Sequence, residues 1–363
     1  MATISASSTP IIPVLILLIS LPILFFFLAP RILPPKQIPI LHTDELDDLS
    51  LFHKAIAADS GDITAPPRSG RLPSVRSRFS ASVRRPKLAF LFLTNSNLHF
   101  APLWERFFAN ASSHHYNIYI HADPFVRISP FEGVFAGKSI PSRRTQRSSA
   151  TLISAARRLL ATAMLDDPSN AYFALISQHC IPLHSFNYFY NFLFDLRRLG
   201  KAMEFPSYIE ILDDQPFLWD RYNARGKNVM LPEVSFDEFR VGSQFFVMTR
   251  KHSLMVIKDR KLWQKFKLPC FNIQSCYPEE HYFPTLLSMQ DPEACTRYTL
   301  TRVNWTDSVD GHPHTYHPIE VSPKLIYELR ESNSSYSYML ARKFSPDCLN
   351  PLMEMADSVI FKD

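Results

Sequence analysis

Lys87 to Phe108 reads KLAFLFLTNSNLHFAPLWERFF, and this stretch decides the fold. Leu88–Thr94 (LAFLFLT) is an unbroken apolar run of strand length. Such runs belong to parallel strands buried on both faces, whereas a strand with one wet face alternates. Pro102 then opens a helix in which Leu103 pairs with Phe107, and Trp104 with Phe108, at i,i+4. Asn117–His121 (NIYIH) is a second strand, closed by Ala122-Asp123-Pro124. Leu152–Leu165 is an amphipathic helix with Ile153, Ala156, Leu160 and Met164 on one stripe, and Pro168 ends it. Tyr172–Ser177 (YFALIS) is a third buried strand, and Gly242–Met248 (GSQFFVM) reads as another. Strands alternating with helices predict an α/β fold, a mostly parallel sheet flanked by helices. Ligands of such sheets bind beyond the carboxyl ends of the strands. Thr94, Asn95, Asp123, Ser177 and Gln178 stand there, as a nucleotide crevice or as ordinary loop polarity.

The chain has 363 residues, enough for one large catalytic domain with an appendage or for two modest domains. A hydrophobic fraction of 46% excludes a disordered chain. Eight Gly against 29 Pro, without GxGxxG or GxxxxGK[ST], argue against a Gly-rich phosphate loop. A formal charge of +5 suits an anionic ligand such as a nucleotide and is too weak to indicate nucleic acid.

Ile11 to Ala29 (IIPVLILLISLPILFFFLA) carries no charge. At about 1.5 Å per residue it reaches roughly 30 Å, the hydrocarbon thickness of a bilayer. It reads as an N-terminal transmembrane helix rather than a cleaved signal peptide, since no small-x-small site closes it. Arg31 and Lys36 follow the run, and the positive-inside rule alone would put the bulk of the chain in the cytosol. The sequons at Asn110, Asn304 and Asn333 oppose that, and long domains translocate largely regardless of flanking charge. The expected division is a cytoplasmic tail 1–10, an anchor 11–29, a stem 30–86, a folded domain 87–346 and a C-terminal tail 347–363. The stem is rich in Pro and Ser, with acids at Asp44, Glu45, Asp47 and Asp48 and then a basic run from Arg68 to Lys87. That run is a solvated linker or a patch for acidic glycans or lipid headgroups. Among five cysteines, Cys270 and Cys276 are close enough to close a small loop, and Cys180 reads as a buried thiol.

Several blocks, in order, resemble the core-2/I-branching glycosyltransferases (glycosyltransferase family 14), especially their plant branch. They are KLAFLFLTNSNLHFAPLWERFF, YNIYIHADP, ARRLLATAMLD, LISQHCIPL, RVGSQFFVMTRKH, CYPEEHYFPTLL, RVNWTDSVDGHPHTYHP and LARKFS. The resemblance implies a GT-A-like fold, a Golgi membrane protein with its catalytic domain in the lumen, and inverting transfer from a UDP-sugar to a glycan or glycoprotein without a metal cofactor. The sugar is GlcNAc or a relative such as glucuronate.

Inverting transfer needs one base for the acceptor hydroxyl and positive charge on the leaving diphosphate. A metal on a DxD motif usually supplies that charge. Asp123 has no Asp two residues away, and Asp213-Asp214 is a doublet, so Lys and Arg must act instead. By resemblance, Glu280 in CYPEEHYFPT is the catalytic base, and its neighbour Glu279 raises the prospect of like-charge coupling. Without the resemblance, this pair would be a solvated helix start after Pro278. Lys343 matches a diphosphate-contacting lysine, with Arg342 beside it, although alone they read as a surface doublet. An upstream arginine is also implied, with Arg330 favoured over Lys324. Asp123 falls on the uridine or ribose side, or is a turn Asp before Pro124. Trp305, Arg221, Ser243 and Gln244 fall on the acceptor side, although Trp305 suits a core equally well. His312, His314 and His317 match no common zinc spacing. Many plant relatives have Trp-Gly at Arg147-Ser148, acids at Ser154 and Ala156, and Ser-Glu at Ser177-Gln178. Those departures support the alternative, a non-catalytic Golgi glycan-binding or scaffold relative, which intact Glu280 and Lys343 oppose.

Overall fold

The computed structural model describes residues 16–25, 37–60, 85–195, 205–306, 308, 311–333 and 336–363. Residues 16–25 are helical and exposed. The rest of the 11–29 run, the 1–10 tail and the 61–84 part of the stem lie outside the described residues. Among the described residues no helix is long and apolar enough to cross a membrane.

The elements are α1 (His42–Ser60), β1 (Lys87–Thr94), α2 (Ala101–Phe108), β2 (Tyr116–Ala122), α3 (Ala150–Asp166), β3 (Asn170–Ser177), β4 (Ile181–Pro182), α4 (Phe186–Phe194), α5 (Leu218–Tyr222), β5 (Val247–Thr249), α6 (Arg250–Lys258), α7 (Lys261–Phe266), α8 (Tyr282–Gln290), β6 (Thr301–Val303), α9 (Pro323–Arg330), β7 (Leu340–Arg342) and α10 (Leu349–Glu354). The main sheet has the order β2-β1-β3-β5, with β1 parallel to both neighbours and β5 antiparallel to β3. A small second sheet has the order β4-β7-β6. This parallel-rich sheet flanked by helices fits a GT-A-like arrangement. The chain leaves β1 for β2 on one side and returns to β3 on the other. A crevice therefore opens at the carboxyl ends of β1 and β3.

β1 is dry on both faces, and its alternation divides two cores. Ala89, Leu91 and Leu93 face α3, α6 and α8. Leu88, Phe90 and Phe92 face α2, α4 and the C-terminal segment. Phe90 is the hub of the second core, with its ring centroid between 5.0 and 6.5 Å from those of Trp104, Phe107, Phe108, Tyr116, Phe186 and Phe189. Each such pair adds about 0.5–1.5 kcal/mol beyond area burial.

Three boundaries differ from the sequence expectation. The strand expected from Gly242 begins only at Val247, and it is antiparallel. Residues 242–246 instead follow the course of the cleft wall described below. The tail 347–363 is part of the fold: Cys348, Leu352, Ala356, Val359 and Ile360 are buried in the second core, and the Asp363 carboxylate meets His184 at 2.7 Å. Finally, the acidic part of the stem is α1, docked on the domain. Phe52 and Ala55 enter the first core. Arg158 donates to Asp48 at 2.7 Å, Ser154 donates to Asp48 at 2.8 Å, and Arg143 meets Asp44 and Asp47 at 2.7 and 2.8 Å. Lys267 reaches Glu45 at 2.7 Å. The buried Arg157 guanidinium lies 4.9 Å over both Phe52 and Trp263. Acids spaced along one chain segment found basic partners far away in sequence, which no local pattern reveals.

Burial, opposed by Arg158, still holds the Asp48 carboxyl above the usual range. Removing one member of a buried pair leaves the other unpaired, at about 3–5 kcal/mol. Asp48→Ala is therefore expected to lower unfolding free energy by about 3 kcal/mol in urea titrations, and Asp47→Ala, which is exposed, by under about 1 kcal/mol.

Candidate active site

The crevice at the ends of β1 and β3 is a cleft of about 850 Å³. Thr94 and Asn95 line it from β1, Ser177, Gln178 and His179 from β3, and Arg342 and Lys343 from β7. Gln178 donates to Asn95 at 2.7 Å, and Thr94 Oγ1 donates to Ser96 O at 2.5 Å, closing the turn after β1.

The far wall is built around one glycine. Residues 208–212 run antiparallel to 241–247 through the bridges Tyr208–Val247 and Leu212–Val241. Gly242 lies opposite Glu210, where a Cβ would stand 1.9 Å from the Glu210 carbonyl oxygen. Its N–H donates to the Glu280 carbonyl at 2.8 Å. The glycine thus clamps the backbones of Glu210 and Glu280 together, and the two carboxyls interact. Burial, then the Glu280 charge, holds Glu210 above the usual carboxylate range.

Glu280 stands in a short 3₁₀ turn, Pro278–Glu280, between Tyr277 and α8. The Cys270–Cys276 disulfide closes the loop before it, while Cys180, Cys295 and Cys348 are free and buried. Tyr277 takes a left-handed φ of 39°, an outlier for a bulky residue that only a surrounding structure sustains. Its ring carries two guanidinium groups, Arg221 at 4.7 Å and Arg147 at 5.6 Å. Arg221 donates to Glu280 Oε2 at 2.7 Å. The buried His281 ring stays neutral, stacks on Phe239 and lies 2.8 Å from Arg240 O through Nδ1. Its Nε2 lies 3.4 Å from Arg221, so it fixes the arginine that holds the carboxylate.

Glu279 points away from solvent, only 3% exposed, and still lines the cleft. Ser148, itself left-handed with a φ of 57°, donates its N–H to Glu279 Oε1 at 2.8 Å. Burial, then the neighbouring Glu280, pushes Glu279 up to about 8.

Positive charge faces these acids. Arg147, Arg342 and Lys343 line the same cleft, and none forms an ion pair among the described residues. Arg147 donates to Gly311 O at 2.9 Å and touches His312. The Arg342 guanidinium lies 4.4 Å over Phe245. Burial, then Arg342 and Arg147, holds the Lys343 ammonium below the usual lysine range. Ser243, Gln244 and Trp305 also line the cleft, and Trp305 is 52% exposed rather than in a core.

Residues 88–330 match the family model "Branch: Core-2/I-Branching enzyme". The chain belongs to the Core-2/I-branching enzyme family. It is also 28% identical over 282 residues to "Glycosyltransferase BC10" of Oryza sativa subsp. japonica, covering 69% of this chain and 67% of that protein. Family membership makes it a glycosyltransferase by class, with a sugar donor and a glycan acceptor. The matched segment of this Core-2/I-branching chain stops before Arg342 and Lys343. The fold alone brings those two to Glu280.

Several sequence expectations are corrected. Arg330 is away from the cleft: it donates to Leu183 O at 2.8 Å, Val359 O at 2.9 Å and Ile360 O at 3.0 Å, holding the C-terminal segment in place. Lys324 is exposed beside Glu328. Asp123 does not line the cleft either. It accepts from Phe125 N at 2.8 Å and from both Thr145 N and Thr145 Oγ1 at 2.9 Å, and Thr145 is the lining residue. Arg221 lines the cleft, but as the partner of Glu280. His314 pairs with Glu320 at 2.7 Å, and among the described residues no group of three or more His, Cys, Asp or Glu is arranged to hold a metal ion. Arg147 was readable only as a departure, and Glu210 was missed. Its signal was an acid inside the apolar run Tyr208-Ile-Glu-Ile-Leu212.

Two outcomes follow. In Gly242→Ala the new Cβ meets backbone, so about 1–3 kcal/mol of stability is lost, read as a lowered melting temperature. For Glu279, the folded state keeps a proton that the unfolded chain releases. Its contribution is therefore full below the ordinary value of 4.5 and lost as pH rises through about 8. Glu279→Gln should match wild type in melting temperature near pH 4.5 and exceed it increasingly toward pH 8.

Proposed function

We propose that the protein is an inverting, metal-independent transferase that moves GlcNAc, or a relative such as glucuronate, from a UDP donor to a glycan or glycoprotein acceptor in the Golgi lumen. One observation carries this reading: Arg147, Arg342 and Lys343 line one cleft without an ion pair among the described residues, together with a carboxylate on a strained turn. Burial and the two neighbouring guanidinium groups hold the Lys343 ammonium below the usual lysine range, so the cluster favours an anion, and a diphosphate is one of the right charge.

Glu280 takes the proton of the acceptor hydroxyl as that oxygen attacks the anomeric carbon. The bond from that carbon to the diphosphate breaks, and its electron pair leaves with UDP. Arg147, Arg342 and Lys343 stabilise the charge that appears there, the task a metal ion performs in many related reactions. Thr94 and Asn95 serve the nucleoside end. Trp305 offers an aromatic face to the apolar face of an acceptor sugar, beside Ser243 and Gln244. Arg221 orients Glu280 until the acceptor hydroxyl arrives, and such contacts tighten in the working complex. Asp123 acts at one remove, by holding Thr145. Residues 11–29 supply the membrane anchor.

UDP release by the full-length protein in detergent tests the reading. The donors are UDP-GlcNAc, UDP-glucuronate, UDP-galactose and UDP-glucose, each with EDTA and a mixed glycan acceptor pool. Turnover should survive EDTA, fall about 10²–10⁴-fold in Glu280→Gln and fall about 10²-fold in Lys343→Ala. Arg330→Ala should lower melting temperature and leave donor KM unchanged. EDTA-sensitive turnover would overturn the role given to the basic residues. UDP binding without any turnover would favour a glycan-binding relative.

Luminal exposure has its own check. Asn110 and Asn333 are exposed. Asn304 is half-buried, accepts from Thr306 N at 2.9 Å and bonds the Tyr316 hydroxyl. Glycosidase treatment should remove glycans from Asn110 and Asn333, with Asn304 the least occupied, whereas no glycan at any sequon would place the domain on the cytosolic side.

A further inference from the structure

The base turn holds a second carboxyl that the reaction above does not use. Glu279 lines the cleft, yet it is buried, and its Oε2 meets no hydrogen-bond partner among the described residues. Buried polar atoms are almost always satisfied, so an orphan on a residue that lines a cleft calls for a ligand atom. The backbone around it is doubly strained, with Tyr277 before it and Ser148 across from it both left-handed. Strain of this kind gathers where a ligand is clamped.

Three charged groups face Glu279. Glu280 adjoins it in the chain, Arg147 faces it from the segment before α3, and Arg225 faces it from the buried turn after α5. Two adjacent carboxyls in a shielded site share one charge. Glu280 has the Arg221 guanidinium at 2.7 Å. Glu279 has backbone N–H groups and no paired cation, and burial and the neighbouring Glu280 outweigh them, so it holds its proton to about pH 8. A neutral carboxyl presents one O–H donor and one acceptor, the complement of a sugar hydroxyl. A diphosphate oxygen only accepts, and the three cations already serve it.

Position decides which sugar. In the transfer, the donor sugar bridges the leaving diphosphate and the attacking acceptor oxygen. Arg147 stands on the diphosphate side and Glu280 on the acceptor side, and Glu279 interacts with both. We propose that Glu279 is a donor-sugar residue: its Oε2 binds a ring hydroxyl of the transferred sugar and so discriminates the nucleotide-sugar from the bare nucleotide. The assignment rests on the transferase reading.

Equilibrium binding of UDP, UDP-GlcNAc and UDP-glucuronate to the full-length protein in detergent tests it, in wild type, Glu279→Gln and Glu279→Ala, from pH 6 to pH 9. The quantity read is the affinity ratio of each UDP-sugar to UDP. For at least one sugar the ratio should fall roughly tenfold in Glu279→Ala and stay near wild type in Glu279→Gln, whose amide also donates and accepts. In wild type the ratio should decline above about pH 8, as Glu279 loses its proton, and in Glu279→Gln it should stay flat. UDP affinity itself should be alike in all three and reports that each is folded. A ratio indifferent to residue 279, equal losses in both variants, or an alkaline decline that persists in Glu279→Gln overturns the assignment alone. Wild type that binds no UDP at all overturns the transferase reading, and the assignment with it.

Discussion

β1 has no wet face, and the rest of the molecule is arranged to satisfy that. Its backbone groups are paired on both sides, by β2 and by β3. Its side chains are buried alternately in two cores, with Phe90 alone meeting six aromatic rings. A strand buried this way needs crossover helices on its faces. The crossovers deliver the loops after β1 and β3 to one edge, where Thr94, Asn95 and Gln178 meet. The cleft is thus a by-product of burying one apolar strand.

What fills the cleft is an electrostatic problem held in place by sterics. Three carboxyls, from Glu210, Glu279 and Glu280, and three cations outside any ion pair among the described residues line the same cleft. Three neighbouring acids would repel one another if every member were ionised. Burial keeps Glu210 and Glu279 above the usual carboxylate range, while Glu280 lies beside Arg221. Gly242 permits the backbone approach that packs them, because any Cβ there would meet the Glu210 carbonyl. The Tyr277 ring meets both the Arg221 and the Arg147 guanidinium groups.

Much of the fold was legible because burial and strand pattern agree. Leu88–Thr94, Asn117–His121 and Tyr172–Ser177 are strands, and the stripe Ile153, Ala156, Leu160 and Met164 is buried as its spacing required. GSQFFVM misled because its apolar residues line a wall and a core rather than a long ladder. Asp44 to Asp48 fell in the expected stem, since their partners Arg143, Arg158 and Lys267 are about a hundred or more positions away. Arg330 and Arg342 look alike in sequence. One meets three backbone carbonyls, and the other opens on the cleft over Phe245.

The sequence by itself determined the elements and the inventory of chemistry. Strand and helix follow from the period of apolar residues along a segment, which is local. It also marked Glu280 and Lys343 through the motifs around them. Only the tertiary structure decided which charges meet. Glu280 received Arg221, Asp123 was turned to Thr145, and Arg147, an oddity in the sequence, became a wall of the cleft. The protonation of Glu279 was decided there too, because desolvation and charge pairing depend on distance in space, and distance along the chain does not report it.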